Sequence, residues 1–265
     1  MPTLRSLVAP ACAAALTVAC ARPATPPAAA APAPAAAAPV TSTAQLVERM
    51  KAHYDGRWYR TLTFLQHNTL YRADGAEEKS DWREYQQVPG RLRVEFLPET
   101  TRSGFLVRDD TIYTFDAGRP VRTAPQIHPL LLLSADLYAL PAERTLAALD
   151  SLKIDRGVLR EDSWQGRPVY VVGAPAGDSA SSQFWVDAER WLLVRLVSRQ
   201  QAGGRTVSTD HHFTYQDVAG RPVPKEIVFL RDGRPYWREE YADVTVDAEL
   251  SDALFDPARW ADARG

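Results

Sequence analysis

Few residues in this chain have the types and spacing that chemistry needs. Gly177-Asp178-Ser179 matches a short nucleophile motif of one lipase group. A serine becomes a nucleophile only with a base within hydrogen-bond reach. The last histidine is His212, so no Asp-x-x-His follows this serine near the C-terminus. The motif also lies in a small-residue loop between late strands, not on an early strand-to-helix turn. Asp210-His211-His212 is the one cluster of ligand-type residues. Adjacent strand residues point to opposite faces, so the two imidazoles cannot easily share a metal. With five histidines, no HExxH and no cysteine pair, an ordinary strand exposing His212 is the simpler reading. Carboxylate pairs occur at Asp109-Asp110, Glu77-Glu78 and Glu239-Glu240. The first two sit in or beside turns, and the third splits across a strand. None is an acid/base pair aimed at one point, so a solvated surface is expected. No catalytic residue, metal site or cofactor is expected.

That outcome moves attention to apolar surface and to the elements that carry it. Residues 127–152, IHPLLLLSADLYALPAERTLAALDSL, form the longest apolar run after the leader. Leu130, Leu131, Leu132 and Leu133 are consecutive and cannot alternate in and out as a half-buried strand would. Together with Leu137, Tyr138 and Leu140 they read as helix, and Pro141 starts a second helix over residues 142–152. The apolar part is too short to span a bilayer. A helical plug or lid for a curved sheet is expected.

Strand patterns flank this run. Residues 42–54 place Leu46, Val47, Met50 and Tyr54 on one helical face, with Ser42 and Gln45 as a capping box. Residues 58–71 then change period, with Trp58, Leu62, Phe64 and Leu70 sharing one parity. Residues 80–88 carry Trp82 and Tyr85, and residues 91–96 alternate cleanly through Leu92, Val94 and Phe96. A short hairpin over 104–108 and 111–115 precedes the helical insertion. Segments 157–164, 168–173, 183–187, 191–199, 205–216, 223–230 and 236–246 follow it. The chain thus reads as mainly β with some helix (α+β), about ten or eleven strands at hairpin spacing, hence antiparallel. So many strands cannot lie flat, and one curved sheet bent around the helices accounts for every segment. A β-sandwich would leave the leucine run without a home. The apolar faces either make a plain core or leave a cavity for an acyl chain or another lipophile.

The first twenty residues, with Arg5, an apolar stretch over 7–18 and a closing Leu-Thr-Val-Ala-Cys, read as a secretory signal ending at Cys20, a candidate for lipidation. Thr17 stands where a lipobox usually has an aliphatic residue. Cys12 lies inside the leader, so Cys20 has no disulfide partner in the mature chain. Residues 21–41 are dominated by Ala and Pro and suit a semi-rigid tether, leaving 42–265 as a single domain. Without Arg5, 30 basic residues face 33 acidic ones, a net charge of −3. No basic patch or tail favours nucleic acid.

Several stretches resemble the bacterial lipoprotein-sorting (Lol carrier and acceptor) superfamily of the outer membrane. They are the helix and long strand ending Thr63-Phe64-Leu65-Gln66, Val88-Pro89-Gly90-Arg91-Leu92-Arg93-Val94, and the hairpin at residues 107–115. His128-Pro129 with the leucine tetrad, Phe184-Trp185-Val186-Asp187 and Leu254-Phe255-Asp256-Pro257 are similar in kind. The resemblance implies an unclosed antiparallel barrel with helices as a lid over a hydrophobic cavity. It implies Leu62, Phe64, Leu92, Val94 and Phe96 on the sheet side, and Leu130–Leu133 and Leu137 on the lid. The family's soluble carrier has an arginine before the proline of its third strand that helps control lid opening, whereas Val88 stands there in this chain. The implied function is non-enzymatic binding of lipoprotein acyl chains or other lipids, with a membrane anchor at Cys20 on a periplasmic protein of the outer membrane. The alternative is a lipid-anchored scaffold or envelope sensor whose barrel is self-filled and whose surface binds a protein.

Overall fold

The computed structural model describes residues 39–202 and 204–265. The leader, Cys20 and the tether up to residue 38 lie outside these residues. α1 (Thr43–Tyr54) starts where the Ser42 hydroxyl accepts the Gln45 N–H at 3.2 Å. The capping box is half made, because Gln45 Oε1 accepts from the Thr41 N–H and hydroxyl, not from Ser42. Six strands follow: β1 (Thr61–Tyr71), β2 (Glu77–Gln87), β3 (Arg91–Phe96), β4 (Gly104–Arg108), β5 (Thr111–Asp116) and β6 (Arg119–Pro125). The leucine run then forms α2 (Pro129–Ser134), a 3₁₀ turn (Asp136–Tyr138) and α3 (Ala142–Ser151). Seven strands return: β7 (Leu159–Trp164), β8 (Arg167–Val172), β9 (Gln183–Asp187), β10 (Leu193–Ala202), β11 (Arg205–Val218), β12 (Arg221–Arg231) and β13 (Arg234–Val246).

All pairings are antiparallel, in the order β6-β5-β4-β3-β2-β1-β13-β12-β11-β10-β9-β8-β7. The sheet is therefore two meanders joined at one seam, β1 against β13, and it stays unclosed with β6 and β7 as edges. Thirteen strands form where about ten or eleven are expected, and β6 alone has no counterpart among the strand segments read from the sequence. β6 escapes a sequence reading because Pro120 and Pro125 argue against a strand. Its place at the edge explains why they are tolerated, since an edge strand has few ladder bonds to lose. Proline and charge there also discourage pairing with another chain.

The concave face holds two apolar cores. The larger packs Leu46, Val47 and Met50 of α1, Leu132, Leu133 and Leu137, and Leu149 of α3 against Val172, Phe184, Val186, Leu193, Leu196 and Phe213. The second joins Leu62, Phe64, Leu92, Val94 and Val107 to Leu131 and Ala135. On the convex face, two 3₁₀ turns (Asp252–Phe255 and Pro257–Arg259) lie over β2–β5. Buried Arg93 ties them down, donating to the carbonyls of Leu254 (3.1 Å), Trp260 (2.8 Å) and Ala263 (3.3 Å) while paired with Glu95 at 2.6 Å. Gly104 (φ +155°) allows this approach, since a Cβ there would meet the Val94 carbonyl at 2.0 Å and the Trp260 ring at 2.9 Å. No helix among the described residues is long and apolar enough to cross a membrane.

Candidate functional site

Register decides what the concave face presents, because directly paired residues share a face. On β1 the inward set begins with Leu62 and Phe64 and continues as Gln66 and Asn68. Phe64 pairs with Glu84, Leu62 with Gln86 and Gln66 with Trp82 on β2. On the other side Asn68 pairs with Glu239 and Gln66 with Tyr241 of β13. Further along, Glu84 faces Val94, and Val94 faces Phe105. The floor of this half is thus a mixture of apolar, aromatic and polar side chains.

α2 roofs that floor. His128 caps it, its Nδ1 accepting the Leu131 N–H at 3.2 Å, and Pro129 fills the first turn, where no N–H is needed. Because Nδ1 accepts, the ring proton sits on Nε2. Burial pushes the His128 pKa down to about 4 and keeps it neutral. Asp136, just beyond α2, accepts the Gly90 N–H at 2.9 Å and so ties the helical segment to the β2–β3 turn. Its pKa is pushed up to about 7 by burial, against the lowering effect of that bond.

Between roof and floor lies a cavity of about 230 Å³, lined by Phe64, Leu92, Phe105, Leu130, Leu131, Ile227, Phe229 and Tyr241, with Gln66, Trp82, Glu84, Gln86, His128, Ser134 and Glu239. It shares Phe105, His128, Leu130 and Phe229 with a cleft of about 500 Å³ that runs to Leu196, Val207, Arg231 and Tyr236. That cleft falls within the roughly 300–1,000 Å³ of small-molecule pockets.

The carboxyls in the cavity are its most unusual feature. Glu84 and Glu239 are 6% and 8% exposed. Burial first, and then the nearby Glu239 charge, hold the Glu84 pKa well above the usual range. Burial also lifts Glu239 to about 8, although the Trp237 indole N–H (3.1 Å) and the Gln66 amide favour its anion. The expectation that Glu239-Glu240 is solvated surface fails for Glu239. The pair does split across the strand, but the inward member meets Glu84, which is two strands away. Continuing the Leu62/Phe64 parity would have exposed Gln66 and Asn68 in the sequence; the meeting of Glu84 and Glu239 leaves no local signal.

The expected ligand-binding residues divide. Phe64, Leu92, Leu130 and Leu131 line the cavity. Leu62 and Val94 are buried in the second core, with Phe96 packed against it beside Trp82. Leu132, Leu133 and Leu137 are buried in the larger core.

The motifs with a chemical look have structural roles. Asp178 accepts the Ala180 and Ser181 N–H groups and the Ser181 hydroxyl, closing a polar turn. His211 is buried against Phe229 with Nδ1 2.8 Å from the Leu196 carbonyl oxygen, and burial pushes its pKa down to about 4. Half-buried His212 faces the other way, Nε2 3.1 Å from Asp210 and its ring against Trp164. Among the described residues no group of three or more His, Cys, Asp or Glu could hold a metal ion.

Sheet, helical roof and chamber together define a half-open antiparallel barrel with the Lol-like fold. Three solved structures carry the likeness. A LolA superfamily protein from Nitrosomonas europaea is 14% identical with a TM-score of 0.53, the match covering 82% of this chain and 98% of that one. A domain from Vibrio parahaemolyticus described as an outer membrane lipoprotein-sorting protein is 13% identical with a TM-score of 0.57, covering 82% and 97%. A DUF1329 family protein from Desulfovibrio piger is 14% identical with a TM-score of 0.56, covering 80% and 95%. At these identities the likeness is one of fold. No family model and no curated protein sequence matches the chain.

Proposed function

We propose that this chain is a non-enzymatic envelope protein that takes up a lipophilic ligand, a lipoprotein acyl chain or another lipid, in the chamber beneath α2. The observation that carries the reading is the cavity itself. Phe64, Leu92, Leu130 and Leu131 leave space between sheet and roof, where a well-packed core would have closed it. Burying acyl surface there would supply roughly 25 cal/mol per Å². The Lol-like fold supports a periplasmic setting, and the sequence supports an anchor at Cys20 on an Ala/Pro tether holding the barrel off the outer membrane.

The test is uptake of the neutral fluorophore N-phenyl-1-naphthylamine by the purified domain, with lipid extraction of the same sample. Saturable uptake, lost when Leu130→Asp puts a charge in the chamber, is expected. If no probe binds and no lipid co-purifies, the chamber reading falls and a self-filled scaffold takes its place. Palmitate labelling with and without Cys20→Ala tests the anchor.

A further inference from the structure

The polar end of the chamber is only partly satisfied by the described residues: Glu239 accepts from the Trp237 indole at 3.1 Å, while its neighbours Glu84 and Gln86 are left open. The Glu84 carboxyl and the Gln86 amide, each 6% exposed, line the cavity with no hydrogen bond to any described residue. Behind the cavity wall, Asn68 pairs with Glu239 across the strands and its Oδ1 accepts from the Gln66 amide at 2.7 Å, while its amide nitrogen has no partner among the described residues. Buried polar groups in native proteins are nearly always satisfied, so Glu84 and Gln86 left open side by side in one cavity wall point to a missing ligand group.

The surroundings say what that group is. None of the residues lining the inner cavity is Lys or Arg, and its only imidazole is neutral, so an anionic head would face two carboxyls without a counter-charge. The cleft's single basic residue, Arg231, lies over the Tyr236 ring at 4.2 Å. Aromatic rings also line the site: Phe64 and Tyr241 are stacked at 4.0 Å, and Trp82 stands beside them in the wall. Ring faces attract ammonium groups, and carboxylates complete their charge and hydrogen bonds.

We infer that the chamber selects amphiphiles with a primary ammonium group, seated between Glu84 and Glu239 against the Phe64 and Tyr241 rings, with the acyl or alkyl chain running into the cleft. The inference rests on the proposed lipophile chamber and adds the head-group chemistry to it. In the empty chamber burial keeps the two carboxyls protonated; the ammonium would take the place of those protons and supply the positive charge that lets the carboxylates form beside it.

The experiment displaces N-phenyl-1-naphthylamine with dodecylammonium, dodecanol or dodecanoate, each below its aggregation concentration. The proteins are the wild-type domain and the double variant Glu84→Gln/Glu239→Gln, with near-UV circular dichroism as the folding check. The amine should bind about tenfold or more tighter than the alcohol, and dodecanoate weakest. In the folded double variant the amine's advantage over the alcohol should disappear. Equal affinities in the wild type, a preference for dodecanoate, or an amine preference that survives in the folded double variant would each overturn the inference. If the double variant does not fold, Glu84→Gln and Glu239→Gln singly must each weaken the preference, and failure of both to do so overturns it. If no amphiphile displaces the probe and none binds directly, the lipophile chamber itself falls, and this inference with it.

Discussion

The two halves of the concave face obey the same strand geometry and end differently. Over β8–β12 the inward positions are mostly apolar, with His211 among them, and α1, α3 and the Leu132–Leu137 segment pack above them as far as the cleft along Leu196, Val207 and Phe229. Over β1–β3 and β13, α2 and the Ala135-Asp136 stretch after it reach across, and the floor carries Gln66, Glu84, Gln86 and Glu239 among its apolar residues. An accidental gap in a core would be lined by ordinary core residues and stay dry. Polar side chains concentrated at the hollow end distinguish the chamber from a packing defect.

Leu133→Ala should break the filled half hardest, costing roughly 2–5 kcal/mol in urea unfolding because a wholly buried side chain leaves a cavity. Leu130→Ala, at a wall that already borders empty space, should cost less than half of that. Equal losses would end the contrast between the halves.

The hollow half should dominate pH dependence. Glu239 keeps its proton up to about 8, and Glu84 is held well above the ordinary carboxylate range, whereas in the unfolded chain both lose the proton near 4.5. Asp136, lifted to about 7, acts in the same direction. Between those values the native state binds more protons, so stability falls as pH rises. His128 and His211 oppose this only below their ordinary 6.5, where the unfolded chain protonates them and the fold does not. Stability should therefore decline from pH 6.5 to 8. Glu84→Gln/Glu239→Gln should flatten that decline and raise the Tm at pH 8 by about 4 °C or more, with little change near pH 4. A double variant with an unaltered slope would remove the two carboxyls as its cause. The smallest stability effect belongs to Leu130→Trp, under about 1.5 kcal/mol because the ring has room to enter, yet probe uptake should be lost. Retained uptake would place the ligand elsewhere.

Much of this fold was legible because short-range signals decide it. β3, β4 and β9 have the expected bounds, set by turn residues and clean alternation, and the leucine tetrad could only be helical. The chamber's apolar wall was legible in part, since Phe64 and Leu92 follow from parity, while Leu132 and Leu133 share a helix with Leu131 yet turn to the other core. Its polar floor was not. Glu84 and Glu239 belong to strands far apart in the sequence, and only the seam through β1 brings them together.

That seam also orders events in time. Every other strand pair joins consecutive strands, so each meander can form as its hairpins emerge, with short loops to close. β1 must wait for β13, and until the last strand arrives one of its edges stays unpaired and open to other chains. The halves that build the chamber are therefore assembled separately and joined late, and a chain halted before β13 would hold two partial sheets and no binding floor.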